Sequence, residues 1–345
     1  MLLKDFAARL GLSQTTVSRG LNDYPEVNPA TRQRIREAAA ALGYRPNANA
    51  RRLATGRAGA VGLILDLDAE AHMSEFMHGL GYTLAERGLD ILVTPMSELQ
   101  DEPNTFRRLA QSKRVDAVIL HSPRPDDASA RLLTKLGLPF VLHGRTDIGA
   151  PVAWLDIDNE GAFRRATEHL LDLGHRRIAL VNGREGRTFA EHRSKGYRDA
   201  LRARGLAPDP RFVVHGRFTD EIGFRFAQSL LEQKAAPTAF LAGSMMSALG
   251  VFRAIRAAGL QLGRDVSMIA HDDVFPFLNA DQMVPSMSTT RSSMRSAGNR
   301  IAELLLQLLS GRPAADIHEL WPVELVLRES TGPAPPERLS MPRLG

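Results

Sequence analysis

The sequence predicts an all-α helix-turn-helix headpiece followed by an α/β core of two Rossmann-like lobes. Within the first 45 residues, apolar side chains recur at helical spacing in three short segments. From Ala60 onward, eight short apolar runs alternate with amphipathic segments, which is typical of parallel sheets flanked by helices. Because eight buried strands are more than one typical open sheet holds, we expect two lobes.

The headpiece begins with two short helices joined by a tight turn. The first helix carries apolar residues at positions i, i+3, i+4 and i+7, namely Leu3, Phe6, Ala7 and Leu10. Gly11 ends this helix, and Ser13 can cap a second helix that begins at Gln14 and buries Val17 and Leu21. This arrangement is a helix-turn-helix, whose second helix enters the major groove of DNA. Gln14, with Thr15 and Arg19, has the polar chemistry to read base edges.

A third helix and a linker complete the N-terminal region. Asn28 is a suitable N-cap with Pro29 in the first helical position, and Gly43 ends the helix. The apolar stripe of this helix is predicted to be Ile35, Ala38, Ala39 and Leu42. The following segment is a linker by position, yet it is rich in Ala, Arg and Leu. We expect it to be disordered when free and helical when bound, because so short a helix is unstable alone.

The apolar runs and composition changes divide the chain into four parts. The predicted domains are a headpiece at 1–45, a hinge or linker at 46–57, a core at 58–330 and a tail at 331–345. Within the core, one lobe is predicted at about 58–158 and 290–317, and the other at about 159–289 and 318–330. The apolar runs are residues 60–67, 89–96, 117–123, 139–144, 178–183, 212–218, 239–245 and 266–273. The tail is rich in Pro, so we expect it to be disordered.

Composition limits the class of protein. The chain has 345 residues, of which 43% are hydrophobic, and it contains no cysteine, which excludes disulfides and thiolate metal sites. We see no signal peptide and no apolar stretch long enough for a membrane span. These features favour a cytoplasmic protein that does not contact membranes.

The charge is concentrated at the N-terminus. Residues 1–57 contain 10 Lys or Arg and 4 Asp or Glu, a net charge of +6, whereas the other residues carry 34 basic and 35 acidic groups, a net charge of −1. A lone basic cluster is usually a solvated surface. Its coincidence with a helix-turn-helix pattern favours double-stranded DNA as the partner, because phosphates are neutralised by Lys and Arg.

Catalytic motifs are missing from the sequence. It contains no GxxxxGK[ST] phosphate loop, no HExxH metal spacing and no GxSxG nucleophile elbow, and its ten histidines are scattered. We therefore predict a non-enzyme with no catalytic residue, no metal and no cofactor. A sugar-binding transport protein without DNA function is an alternative, and the basic headpiece counts against it.

Several segments together resemble the LacI/GalR family of transcription regulators. They are LKDFAARLGLSQTTVSRGLN, VNPATRQRIREAAAALGYRPNANARRLATG and the segments at 159–183, 247–260 and 265–273. The HGRTD and HDD segments are similar to the α-glucoside-operon branch. The resemblance implies a core like periplasmic binding proteins, and a homodimer that binds a palindromic operator and is switched by a small effector. Tetramers of this family need a C-terminal leucine heptad helix, which the tail lacks.

The resemblance also implies which headpiece residues contact DNA. Gln14, Thr15 and Arg19 fall at base-reading positions, and Arg suits guanine while Gln suits adenine. Thr16 and Ser18 match positions that bind phosphates. The minor-groove hinge positions are Asn47, Ala50 and Leu53. Leu53 matches a leucine wedge that kinks the duplex.

Effector-binding positions follow from the same resemblance. They are Arg193, Asp272, Phe218, Ser244, His72 and Met294. An Arg and an Asp that face one cleft can bind vicinal hydroxyls by charge-assisted hydrogen bonds. For Arg193 and Asp272 the alternative is a structural ion pair, for Phe218 it is core packing, and for His72 it is a surface histidine. Ser244 replaces the Asn that is usual in the family.

The favoured hypothesis is that the protein represses a carbohydrate-utilisation operon and is released from its operator by a mono- or disaccharide. A regulator that needs a purine or another non-sugar metabolite as co-repressor is the alternative within the family.

Overall fold

The computed structural model describes residues 1–44, 56–66, 73–96, 102–271, 274–275 and 278–336. It consists of two compact units, Met1–Gly59 and Ala60–Gly345. The predicted fold class is confirmed, since the first unit is helical and the second contains two largely parallel sheets.

In its described residues 1–44 the headpiece contains three helices, and the second and third have the predicted N-caps. They are α1 (Leu3–Leu10), α2 (Gln14–Leu21) and α3 (Pro29–Ala41). The Ser13 hydroxyl accepts a hydrogen bond from the Thr16 amide at 3.0 Å, and the Asn28 side chain accepts one from the Ala30 amide at 2.8 Å. These caps satisfy amide groups that the first turn of a helix leaves unpaired.

One small apolar cluster holds the headpiece together. Its buried members are Phe6, Ala7, Leu10, Val17, Ile35, Ala39 and Tyr44. Phe6 and Tyr44 stack with their ring centroids 4.3 Å apart. Leu42, which we predicted on the buried stripe of α3, follows the end of that helix and is 42% exposed. The position of Leu42 is therefore wrong in the prediction, and Tyr44 closes the cluster instead.

The core alternates strands and helices. The strands are β1 (Ala60–Asp66), β2 (Asp90–Met96), β3 (Ala117–His121), β4 (Phe140–His143), β5 (Ala153–Ile157), β6 (Ile178–Asn182), β7 (Val213–His215), β8 (Ala239–Ala242), β9 (Ser267–His271), β10 (Ser288–Arg291), β11 (His318–Trp321) and β12 (Glu324–Val326). The helices are α4 (Met73–Ala85), α5 (Glu102–Ser112), α6 (Ala128–Leu136), α7 (Asn159–Asp172), α8 (Thr188–Ala203), α9 (Asp220–Leu231), α10 (Met245–Ala257) and α11 (Met294–Leu309). Short 3₁₀ turns occur at Pro210–Phe212, Ala280–Gln282 and Ala314–Asp316.

The strands form two six-stranded sheets, one in each lobe. The first sheet has the order β11-β5-β4-β3-β1-β2, and all of its pairs are parallel. The second has the order β12-β10-β9-β8-β6-β7, with one antiparallel pair, β10 with β12. Apolar clusters lie on both faces of each sheet, where the helices pack.

The chain crosses between the two sheets three times. It passes from β5 to α7, from β10 to α11, and from β11 to β12. The predicted placement of residues 318–330 in the second lobe is wrong for β11, which pairs with β5 in the first sheet. The predicted return to the first lobe at residue 290 is also wrong, because this residue lies in β10, which belongs to the second sheet. Strand pairing therefore places these boundaries at Arg291 and Trp321.

Glycines bring three pairs of helices into backbone contact. A Cβ atom added to Gly79 of α4 would lie 2.1 Å from the carbonyl oxygen of Arg295 in α11. One added to Gly196 of α8 would lie 2.1 Å from the carbonyl oxygen of Glu160 in α7. In the pair α9 and α10, one added to Gly223 would lie 2.1 Å from the carbonyl oxygen of Ser247. Since backbone cannot move aside as a flexible side chain does, these positions exclude any larger residue.

We expect Gly223→Ala to destabilise the second lobe. The new methyl group would push α9 away from α10, at a cost of roughly 1–3 kcal/mol for overpacking. This outweighs the gain of up to about 1 kcal/mol that alanine normally gives a helix. Thermal unfolding would measure the effect. Ser229→Ala, at an exposed position of the same helix, is the matched control and should change stability by less than about 0.5 kcal/mol. Equal stability of the two variants would contradict this packing argument.

Among the described residues, no helix combines the length and apolar character needed to cross a membrane.

Candidate functional site

Two surfaces carry the functional chemistry, and the first is the exposed side of α2. Val17 and Gly20 of this helix are buried, whereas Gln14, Thr15 and Arg19 are exposed. The three residues predicted to read bases are thus available to a partner. The conformation of the helix follows from the Ser13 cap and from the apolar side that packs on the headpiece cluster.

The predicted phosphate-binding residues differ in their surroundings. Thr16 is half-buried, and its hydroxyl lies 2.8 Å from the Ser13 hydroxyl. It lines a surface hollow together with Thr15, Arg19 and Asn28. Ser18 is half-buried and is not among the residues that line this hollow. The hollow places hydroxyl groups beside a guanidinium group, and both are suitable partners for a phosphate.

The second surface is a cleft at the carboxyl ends of the strands in the core. Its cavity volume is about 140 Å³. It is lined by residues of both lobes, among them His121 and Asp156 of the first and Arg193 and Phe218 of the second. Ligands of open α/β sheets bind at such strand ends, so the fold itself positions this cleft.

Arg193 on α8 is the central charged group of the cleft. It is only 4% exposed. Its Nε donates to the Asn159 side-chain oxygen at 2.7 Å, and its Nη1 donates to the Gly243 carbonyl at 3.0 Å. A buried guanidinium must be hydrogen-bonded to offset its loss of hydration, and these contacts hold its plane in a fixed orientation.

Three aromatic rings surround the same guanidinium group. Its central carbon lies 5.0 Å from the ring centroid of Phe163, 4.9 Å from that of Phe189 and 5.8 Å from that of Phe218. Cation–π attraction stabilises this arrangement. The cleft therefore combines fixed N–H donors with apolar ring faces, which together suit a molecule that has hydroxyl edges and C–H faces.

Two histidines form a hydrogen-bonded pair in the first lobe. His121 ends β3 and His143 ends β4, and their Nδ1 atoms are 2.8 Å apart. The ring of His143 also stacks on Phe76 with centroids 4.7 Å apart. Burial lowers the pKa of His143 to about 4, although the Asp156 carboxylate acts in the opposite direction. His143 is therefore a neutral hydrogen-bonding group near pH 7.

The pKa of His143 predicts a loss of stability in acid. Between pH 6.5 and about 4 the unfolded chain binds a proton at this residue that the folded chain does not. The stabilisation is fully present above pH 6.5 and is lost as the pH falls towards 4, by roughly 3 kcal/mol. Urea unfolding between pH 4 and 7 should show that His143→Gln has a flatter pH dependence than the unmodified chain. His78→Gln, at an exposed position, should keep the original slope, and the same slope in both variants would contradict the assignment.

The structure brings together half of the predicted effector residues. Arg193, Phe218 and Met294 all line the cleft. Ser244 is buried as the N-cap of α10, where its hydroxyl accepts a hydrogen bond from the Ser247 amide at 3.2 Å. It is not among the residues that line the cleft.

Five predicted residues lie outside the part of the chain that the structure describes. They are the effector positions Asp272 and His72 and the hinge positions Asn47, Ala50 and Leu53.

Sequence reasoning missed His121, His143, Asp156, Asn159 and Phe189, which also line the cleft. A signal was available for the two histidines, because each ends an apolar run that was assigned as a buried strand. Polar residues that end successive parallel strands meet at one edge of the sheet.

Both parts of the chain match known protein families. Residues 2–47 match the family of bacterial regulatory proteins, lacI family, and residues 167–331 match a periplasmic binding protein-like domain. The HTH-type transcriptional regulator AglR of Rhizobium meliloti (strain 1021) is 48% identical over 339 residues, which cover 96% of this chain and 95% of that protein.

Two solved structures extend the similarity. The transcriptional regulator CelR–cellobiose complex matches with a TM-score of 0.70 and 31% identity over 96% of this chain and 99% of that one. The lac repressor dimer bound to operator and the anti-inducer ONPF matches with a TM-score of 0.82 and 26% identity, again over 96% of this chain and 99% of that one.

Proposed function

Because this chain belongs to the LacI family of bacterial regulatory proteins, we propose that it represses a carbohydrate-utilisation operon and is released by a sugar. It is a DNA-binding transcriptional regulator and not an enzyme. The finer proposal is that it binds a palindromic operator as a homodimer. Two-fold operators are read by two-fold dimers, and a similar structure is a dimer bound to its operator.

The observation that carries the sugar proposal is the surroundings of Arg193. A sugar ring has hydroxyl groups on its edge and C–H groups on its faces. The Arg193 guanidinium supplies charge-assisted donors, and Phe189 and Phe218 supply apolar ring faces beside it. The relative CelR was solved as a cellobiose complex. The CelR complex supports a disaccharide, and the resemblance to the α-glucoside-operon branch supports one with an α-glucosidic bond.

Effector control requires that the sugar binds one arrangement of the lobes more tightly than another. A ligand with equal affinity for both arrangements would shift nothing, however tightly it bound. We propose that the sugar favours the arrangement that has low affinity for the operator, so that its binding releases the DNA.

Calorimetry and a mobility-shift assay test this proposal together. Heat of binding is expected with maltose, trehalose or sucrose, and less or none with cellobiose or hypoxanthine. The bound sugar should then release the full-length protein from DNA of its own promoter region. Heat with hypoxanthine and with no sugar would overturn the effector class in favour of a purine co-repressor. A protein that shifts no promoter DNA at low salt, with or without ligand, would overturn the repressor proposal.

A further inference from the structure

A closed series of polar contacts lies beside Arg193. It consists of His192, Arg145, Asp156, Asn159 and Arg193, and we call it the polar ring. His192 Nδ1 is 3.2 Å from Arg145 Nη2, and Arg145 Nε donates to Asp156 Oδ2 at 2.7 Å. Asn159 Nδ2 donates to Asp156 Oδ1 at 3.3 Å, and Asn159 Oδ1 accepts from Arg193 Nε at 2.7 Å. Since His192 and Arg193 are neighbours on α8, the series closes on itself.

The polar ring passes between the lobes twice. Arg145 follows β4 and Asp156 lies in β5, so both belong to the first lobe. His192 and Arg193 lie on α8, and Asn159 begins α7, in the second lobe. The contact of Arg145 with His192 and the contact of Asp156 with Asn159 therefore each join one lobe to the other.

We propose that Arg145 and Asp156 are positioning residues that hold α8 against the first lobe and so set the orientation in which Arg193 meets the effector. Neither residue needs to touch the effector for this role. The nature of the ligand in this inference rests on the proposed function. The contacts of the polar ring do not depend on any ligand.

Asp156 is buried, so it needs the contacts that the polar ring supplies. Asp156 is 4% exposed, and a carboxylate at such a site is stable only if it is paired and hydrogen-bonded. Arg145 supplies the opposite charge and also lies 5.6 Å from the Trp154 ring centroid. The guanidinium is thus held on the first lobe through Nε, and its Nη2 reaches His192.

The beginning of α8 makes two further contacts with the first lobe. Arg187 Nη1 donates to the Ser122 carbonyl at 2.9 Å, and the Thr188 amide donates to the Pro123 carbonyl at 3.0 Å. Both acceptors lie just after β3. Together with the polar ring, these contacts join α8 to the first lobe along the first part of the helix. Of these contacts, the one between His192 and Arg145 depends on pH.

The contact of His192 requires a neutral imidazole. Arginine only donates hydrogen bonds, so His192 must accept through Nδ1. Burial and the charge of Arg145 lower the pKa of His192, while Asp156, Glu160 and Glu191 act to raise it. Protonation in acid removes the acceptor and places two positive charges together. Acid should therefore open the ring at this contact.

A distance measurement between the lobes tests the proposal without any ligand. Because the chain has no cysteine, Lys135→Cys on the first lobe and Lys234→Cys on the second can be spin-labelled selectively in the full-length protein. Both lysines are exposed. Dilution with unlabelled protein ensures that distances are read within one subunit.

We expect Arg145→Gln to shift and broaden the distance distribution between the labels at pH 7.5. His192→Leu should do the same, and the double variant should resemble Arg145→Gln, because both single variants remove the contact between Arg145 and His192. As the pH is lowered from 7.5 through the region below 6.5, the distribution of the unmodified protein should move progressively towards that of the variants, because the pKa of His192 lies below its ordinary value. Arg131→Gln is the control, since Arg131 bonds to Asp126 and the Ile148 carbonyl within the first lobe. An unchanged distribution in Arg145→Gln would overturn the proposal.

A second readout separates positioning from folding. If Arg145→Gln does not fold, His192→Leu decides the question, since it leaves the Arg145–Asp156 pair intact. With maltose as the probe, His192→Leu should bind about three- to tenfold more weakly, in proportion to the smaller population of the closed ring. Shifted distances with unchanged maltose affinity would overturn the positioning role. If the unmodified protein binds no sugar at all, the proposed effector fails, while the distances still test the ring.

Discussion

Arg193→Met is expected to abolish the response to the effector while leaving operator binding intact. Methionine fits the apolar surroundings of Phe163, Phe189 and Phe218, but it removes the charge and every donor. Charge-assisted hydrogen bonds contribute roughly 2–3 kcal/mol, so effector affinity should fall about 30- to 150-fold. Calorimetry gives the affinity, and a mobility-shift titration with effector gives the response.

A matched variant on the same helix controls for a change in the structure of α8 that any substitution there could cause. Arg202 is exposed and pairs with Asp199 at 3.5 Å, so Arg202→Met should bind the effector as the unmodified protein does. If Arg193→Met still releases the operator at the normal effector concentration, the cleft around Arg193 is not the effector site.

Arg19→Ala is expected to reduce operator affinity by roughly 1–3 kcal/mol, or about 5- to 150-fold. The side chain is exposed on α2, beside Thr15 in the surface hollow. As a base contact, it should also relax the preference at one base pair of each half-site. The dependence of affinity on salt should stay nearly unchanged, whereas loss of a phosphate contact would lower the salt slope by about one.

Two further variants show whether the effect of Arg19→Ala is specific to a base contact. Gln14→Ala should relax the preference at a different base pair. Arg36→Ala removes a guanidinium that pairs with Asp23, so it should change operator affinity much less. A uniform loss of affinity on all sequences, with a lower salt slope, would show that Arg19 binds a phosphate.

The fold was predictable where hydrophobic patterning decides it. All eight apolar runs contain strands, and the caps at Ser13 and Asn28 are formed as expected. Four strands of the described residues were missed, namely β5, β10, β11 and β12, and β10 is the most polar of them. In β10, which reads STTR, the Thr290 hydroxyl lies 2.7 Å from His271 Nδ1, and the Ser330 hydroxyl accepts from the Ser288 amide at 2.7 Å. Partners so far apart in sequence leave no local pattern to read.

The ligand cleft was predictable to a smaller extent. Arg193, Phe218 and Met294 were identified through resemblance to a family, and they line the cleft. His121, His143 and Asp156 required knowledge of which strands are neighbours, since β3, β4 and β5 are adjacent only after the sheet forms. The pairing of Asp156 with Arg145 depends in turn on that strand order.

The glycine contacts determine how this protein can move. Helices that touch backbone to backbone, as α9 and α10 do at Gly223, cannot slide past each other without a clash. Within each lobe these contacts oppose sliding of the paired helices. In the described residues, the chain passes between the sheets at short crossings, 157–159, 291–294 and 321–324. A signal from the cleft should accordingly be transmitted as rotation of one rigid lobe about three short hinges.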